Sequence, residues 1–284
     1  MADLPIIDSH MHLFDPEVYD ISWMKKGNFP SLNKSFSLTD YEKSVENYDL
    51  VKSIYVEVNV TFSQLKDEVQ QVTKLCESKD NPISAMVICA DMESDDLDTY
   101  LASLLPNPFI KGVRRVMIFD DTPKGTCLKP QFIKNLQALS RYNLSFDICM
   151  RPDELLDIVP VIQQCPDVSF ILDHIGNGGV KGSDLWREGI QSLAKLKNVI
   201  GCKVSGMIES SEGNWQAEDL LENFKICLEA FGEDRLLFGS NWPVCTLSGS
   251  FEDWVEALLK ITMDKSDDFI HKLFYKNAEK IYKL

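Results

Sequence analysis

The chain alternates between two textures. Short apolar runs, rich in β-branched and aromatic residues, are separated by longer stretches in which apolar residues return every three or four positions. Eight runs follow one another: LPIIDSH, KSIYVEVNV, PISAMVICAD, IKGVRRVMIF, NLSFDICM, VSFILDHIG, VIGCKVSGM and RLLFGSNWPV. Their nearly continuous apolar character suits strands buried on both faces, as in a parallel sheet. Between them the spacing predicts helices over 39–47 with Thr39 as cap, 64–78, 95–105 after Ser94, 129–142 with Pro130 in its first turn, 152–164, 184–196, 217–231, 251–260 and 267–281. Strand and helix alternate eight times, which predicts an α/β protein built as a single (β/α)8 barrel domain over residues 1–284. An open doubly wound sheet is the main rival. It commonly announces a phosphate loop, and neither GxGxxG nor GxxxxGKS/T occurs.

In a barrel the carboxyl ends of the strands meet on one face, so polar residues closing the apolar runs converge there. Asp8, His10 and His12 close the first run, Glu57 and Asn59 the second and Asp91 the third. Arg114 and Arg115 belong to the fourth, Asp147 and Arg151 to the fifth, Asp173 and His174 to the sixth, Lys203 and Ser205 to the seventh, and Ser240, Asn241 and Trp242 to the eighth. Polar groups at the ends of greasy strands are costly unless paired or used. Residues i and i+2 of a strand share a face, so His10 and His12 can aim into one cavity with Asp8 below them. Two such imidazoles can chelate a divalent metal or donate to a developing oxyanion. They can equally be polar residues facing a loop. Arg114, Arg151 and Lys203 would suit an anionic or polyhydroxylated substrate, or would pair with Asp147, Glu57 or Asp173. The long segment 14–38 holds Trp23 and Phe29 and is expected to form part of the mouth.

Charge narrows the partners. A formal net charge of −15 disfavours nucleic acid and anionic membrane surfaces. Eight cysteines without a CxxC spacing read as buried free thiols in a reducing compartment. The N-terminus lacks the basic and apolar regions of a signal peptide, and no apolar stretch reaches the ~20 residues of a membrane span. A cytoplasmic location is the expectation. Oligomeric state is not legible, which leaves room for a homo-oligomer.

The set IIDSHMHLFDP, ISWM, KGVRRV, ILDHIG, KVSGM, FGSNWPV and NAEKIYKL resembles the amidohydrolase-related family, and within it the branch of sugar lactonases and pyrone-dicarboxylate lactonase. The resemblance runs from residue 6 to the C-terminus. It implies a barrel that hydrolyses a C–O ester bond in a small lactone, with His10 and His12 as the first-strand HxH, His174 as the sixth-strand histidine and Arg114 as the fourth-strand arginine. Asn241 stands where the family pattern GSDWPV has an aspartate, which serves there as general base or acid and, in metal-bearing members, as a ligand. The resemblance therefore implies catalysis by His10, His12, His174 and position 241 with Arg114 at the substrate, and the reading of the strand ends and first loop adds Trp23, Glu57, Arg151 and Lys203 around it. The fifth strand offers no histidine, which argues against a two-metal centre. No tightly bound metal is expected, although His10, His12 and His174 leave room for a single divalent ion such as zinc. Because an amide cannot accept a proton at ordinary pH, the base would be Glu57, Asp147, Asp173 or His174. The alternatives are a ligand-binding barrel without turnover and a decarboxylase of the same superfamily.

Overall fold

The computed structural model describes residues 4–25, 29–211 and 213–284. The eight runs become β1 Pro5–Met11, β2 Asp49–Val56, β3 Ile83–Cys89, β4 Ile110–Met117, β5 Ser145–Met150, β6 Phe170–Leu172, β7 Val199–Val204 and β8 Leu236–Phe238. They pair in chain order and every neighbour is parallel. The ends then meet. The His12 N–H donates to the Trp242 carbonyl at 2.7 Å, and the Asn241 N–H donates to the His10 carbonyl at 2.8 Å. These two bonds give the backbone at the carboxyl ends of the two edges a partner and nearly close the barrel. This is the (β/α)8 barrel that the alternation predicts.

Two runs yield less strand than expected. β6 and β8 keep three residues each, and their polar ends fold into turns. After β6, His174, Ile175, Gly176 and Asn177 have φ of 53°, 46°, 70° and 57°. A β-branched residue at positive φ is strained, at a cost on the order of 1–3 kcal/mol. Packing and hydrogen bonds hold it. The Trp186 indole donates to the Ile175 carbonyl at 2.7 Å, and the Asn177 amide donates to the Met150 carbonyl at 2.8 Å.

Several helix boundaries also move; the helix expected over 95–105 spans Leu97–Leu104 with Asp96, not Ser94, at its N-cap, and the one expected over 129–142 is Pro130–Leu139. The helix expected over 39–47 spans Leu38–Ser44 and is capped by Ser37, not Thr39. The Ser37 hydroxyl accepts from the Asp40 N–H while the Asp40 carboxylate accepts from the Ser37 N–H, a reciprocal box that satisfies two orphan amides. The stretch 267–281 is broken into Asp267–His271, a widened π turn over Lys272–Lys276, and Asn277–Tyr282. The Asn277 amide pins this break by donating to the Glu233 and Leu236 carbonyls at 2.7 and 2.8 Å.

Most of the apolar core lies between the strands and the surrounding helices. A smaller cluster fills the barrel: Ile54, Val56, Ala85, Val87, Ile171 and Leu237, with Tyr282 entering from the C-terminal helix. All eight cysteines are unpaired, seven of them buried. No described helix is long and apolar enough to cross a membrane.

Candidate active site

Alternation along β1 brings His10 and His12 to one side, their ring centroids 4.9 Å apart. The turn after β6 places His174 with its ring 4.3 Å from that of His10. Asp8 does not join them. The register of β1 against β2 slips between Asp8 and Met11, and the Asp8 carboxylate turns to other partners. It accepts from the Tyr41 hydroxyl at 2.8 Å, the Ser240 hydroxyl at 2.5 Å, and the N–H groups of Ser240 and His10 at 2.8 and 3.1 Å. Asp8 thus ties β1 to the segment after β8 and to the helix Leu38–Ser44.

A file of alternating charges occupies the barrel above its apolar floor. Arg114 donates through Nε to Glu57 Oε1 at 2.5 Å, through Nη2 to the Glu57 carbonyl at 2.6 Å, and through Nη1 to His10 Nε2 at 3.2 Å and Asp173 Oδ2 at 3.4 Å. Lys203 Nζ lies 3.0 Å from Asp173 Oδ1 and 2.6 Å from Asp147 Oδ2. The Tyr282 hydroxyl closes the file by donating to Asp147 Oδ2 at 3.2 Å. Burial opposes every one of these charges, and partners decide which survive. Burial is the largest influence on the Asp173 carboxyl and raises it, but Lys203, His10 and His174 together outweigh burial and hold it well below the usual range. Burial likewise works against the Lys203 ammonium, and Asp147 and Asp173 reverse the outcome. Asp147 remains above the ordinary carboxyl range because burial exceeds the pull of Lys203.

The histidines stay neutral. Burial drives His10 well below its ordinary value, against the opposing pull of Asp173. Burial, then Arg114, takes His12 to about 3, and burial takes His174 to about 4. The His12 Nδ1–H donates to the Val56 carbonyl at 2.7 Å, so its Nε2 carries the lone pair. His12 therefore offers an acceptor and not the oxyanion donor that the sequence suggests. His174 Nδ1 lies 2.9 Å from the Ser205 hydroxyl; when that hydroxyl donates, Nε2 carries a proton and can donate.

His10, Asp173 and His174 hold ligand atoms within 4.8 Å of one another, which is close enough to share one metal ion. Their surroundings do not fit a resident divalent cation. The Arg114 guanidinium takes the His10 Nε2 lone pair, and Arg114 and Lys203 both sit against the Asp173 carboxylate. A divalent ion would face two fixed positive charges at that carboxylate. His12 lies outside this trio.

A cavity of about 300 Å³ opens over this file at the carboxyl end of the barrel. Its lower wall carries His12, Glu57, Arg114, Cys149, His174 and Asn241; its upper wall carries Phe14, Trp23, Phe29, Phe119, Val244 and Leu247. Trp23 stacks on Phe119 at 5.6 Å, and its indole donates to the Val58 carbonyl at 3.0 Å. Burial pushes the Cys149 thiol up to about 12, so it stays protonated. His10 and Lys203 lie beneath the cavity and do not line it; both are wholly buried among the charges. Arg151 is elsewhere as well. It pairs with Glu154 at 2.7 Å and donates to the Phe119 and Thr122 carbonyls at 2.6 Å each, which props the loop bearing Phe119. Of the expected substrate-facing cations only Arg114 reaches the wall, and it is already paired with two carboxylates.

One lining residue escapes the sequence reading altogether. Glu209, on the loop after β7, accepts from the Asn241 side-chain amide at 2.8 Å. The Asn241 side chain also reaches the His12 ring. The signal in the sequence is faint: an acidic residue three positions after Gly206, inside a serine-rich stretch that reads as solvent-facing loop.

An eight-stranded parallel barrel with histidines and an arginine around a cavity at its carboxyl end has the arrangement of a barrel enzyme. The amidohydrolase family profile matches residues 7–284. The chain belongs to the amidohydrolase family and is a hydrolase. It is 28% identical, over the whole of both chains, to an uncharacterised protein, y4mH, of Sinorhizobium fredii. It is 23% identical to an L-fucono-1,5-lactonase of Burkholderia ambifaria, covering 87% of this chain and 83% of that one. A crystal structure of an amidohydrolase from Burkholderia multivorans with bound zinc superposes with a TM-score of 0.86 at 23% identity, covering 98% of this chain and 99% of that one.

Proposed function

We propose that the protein hydrolyses the ring ester of a small uncharged lactone at the carboxyl end of its barrel. The observation that carries this reading is the convergence of Arg114, His174 and His12 on one cavity wall. A relative named as an L-fucono-1,5-lactonase supports the bond type. Four of the five Arg114 N–H groups are engaged, and the remaining Nη2 hydrogen together with His174 Nε2–H would hold the oxyanion of the tetrahedral intermediate. The hydrogen-bond donors for that oxyanion are already in place, so the chemistry is read as independent of a bound metal. The His12 Nε2 lone pair would accept from the attacking water or a substrate hydroxyl.

The absence of an unpaired cation among the described lining residues, together with Glu57 and Glu209 in the wall, favours the polyhydroxylated substrate over the anionic one, the two classes that the sequence leaves open. The apolar upper wall would pack against the substrate's ring carbons. The test is turnover on three groups of compounds: neutral sugar-acid lactones, alkyl-substituted lactones and pyrone dicarboxylates. Hydrolysis of neutral lactones with little action on dicarboxylates is expected. Failure on every lactone across pH 5 to 9 would defeat the proposal. Asn241 favours one rival, a barrel that binds without turnover. Calorimetric binding of a lactone that is never hydrolysed would establish it.

A further inference from the structure

We infer that Glu209 is the general base and acid of the proposed hydrolysis, delivered by the loop after β7 and held by Asn241. The inference rests on the lactone reading and deepens it. Three observations bear it. Asn241 donates to Glu209 Oε1 at 2.8 Å, which fixes one carboxylate oxygen. The other oxygen, Oε2, is buried and without a hydrogen-bond partner. Glu209 shares the cavity wall with His12, His174 and Asn241. A buried carboxylate oxygen without a side-chain donor is costly, and a proton brought to this carboxylate relieves that cost.

The local chain is shaped to bring this carboxylate in. Gly206 adopts φ 64° directly after β7, and the loop turns back so that the Ser248 hydroxyl reaches the Glu209 carbonyl at 3.4 Å. Asn241 itself sits at φ 55° with its N–H bonded to the His10 carbonyl, a left-handed conformation that asparagine and aspartate tolerate better than most residues. The position that resembles a family aspartate has become a hydrogen-bond donor, and the carboxylate comes from the neighbouring loop instead.

Titration agrees with the geometry. Burial raises the Glu209 carboxyl, and the Asn241 bond followed by the backbone N–H groups of Glu209 and Ile208 pull it down less strongly. The groups that face it are Asn241 and Cys245 from the segment after β8, His12 directly after β1, His174 from the turn after β6, and Glu57 and Arg114 across the cavity. The two histidines, at about 3 and about 4, are weak proton acceptors.

In the step, the Glu209 carboxylate takes a proton from water as the water oxygen bonds to the lactone carbonyl carbon. The carbonyl π pair moves onto its oxygen. Collapse of that oxyanion breaks the ring C–O bond, and the departing alkoxide recovers the proton from Glu209. One water is consumed, a hydroxy acid forms, and its carboxyl proton passes to solvent.

The experiment compares wild type with Glu209→Gln, Glu209→Ala and Asn241→Asp on a lactone that the wild type turns over. Glu209→Gln keeps an acceptor for Asn241 but cannot carry the proton. It should lose roughly 10²–10⁴-fold in kcat with KM and Tm little changed, and the acid limb of the kcat–pH profile should vanish. Formate should restore part of the Glu209→Ala activity. Asn241→Asp places a second carboxylate against Glu209, and two such groups share a proton, so the acid limb should move to higher pH. A Glu209→Gln enzyme within about threefold of wild type and with the same acid limb overturns the assignment. A lost activity that formate does not restore assigns Glu209 to structure alone. If the wild type hydrolyses no lactone, the functional reading falls and this one with it; an active wild type indifferent to Glu209 removes only the base.

Discussion

Replacing His12 with asparagine should make the protein less sensitive to acid, by an amount the structure sets. Free histidine titrates at 6.5, whereas buried His12 does so at about 3. At pH 5 the unfolded chain binds a proton that folded His12 refuses, which costs the folded state about 2 kcal/mol, against about 0.2 kcal/mol at pH 7. The stability is therefore lost as pH falls through 6.5, and the loss levels off at about 5 kcal/mol below pH 3. Asparagine keeps an N–H near the position of Nδ1, so the 2.7 Å bond to the Val56 carbonyl can persist. Absolute stability mixes several groups. Burial raises Glu68 to about 7 and also raises Asp147, and both stabilise the fold as pH falls. These cancel in the difference between the two proteins. Urea denaturation at pH 5, 6, 7 and 8 should show the gap moving in favour of His12→Asn by about 2 kcal/mol between pH 7 and pH 5. A gap that stays constant within error over that range would refute the claim that His12 is buried neutral.

Three further outcomes follow. Gly206→Ala would put a Cβ 2.5 Å from that of His174 at a φ of 64°; turnover should fall on the order of 10²-fold through displacement of the imidazole, visible as a shifted histidine resonance in NMR. Lys203→Met leaves Asp147 and Asp173 facing each other across the barrel and should cost about 3–5 kcal/mol in denaturation, part of which Asp147→Asn should return in the double variant. Exhaustive treatment with a chelator should leave turnover unchanged and elemental analysis should find substoichiometric metal; one zinc per chain whose removal abolishes activity would defeat the metal-independent reading.

The barrel was legible because parallel strands buried on two faces leave unbroken apolar runs, and helices between them leave a different period. His10, His12, His174 and Arg114 were legible because polar residues at such ends have few other places to go. The failures have local causes. Asp8 and His10 differ by two residues and should share a face, but a register slip separates them. Lys203 and Arg151 are cations at strand ends for which the sequence leaves substrate and carboxylate partners both open; the fold gives Lys203 to Asp147 and Asp173, and Arg151 to Glu154, which the sequence does not single out. Glu209 hides in a serine-rich loop, and only the turn at Gly206 and the amide of Asn241 convert it from a surface acid into part of a cavity wall.

The Tyr282 plug bears on the order in which this molecule can be completed. Tyr282 is synthesised after all eight strands, yet its ring packs among residues of β2, β3, β6 and β8 inside the barrel and its hydroxyl meets Asp147 on β5. As the chain leaves the ribosome, the strands can gather and even close while the underside is still open. Water then has access to the Lys203–Asp147 pair from below, and the strong coupling that a dry interior gives these charges is withheld. The electrostatic character of the catalytic end is thus settled from the opposite end of the barrel, by a residue that emerges after the whole of the sheet.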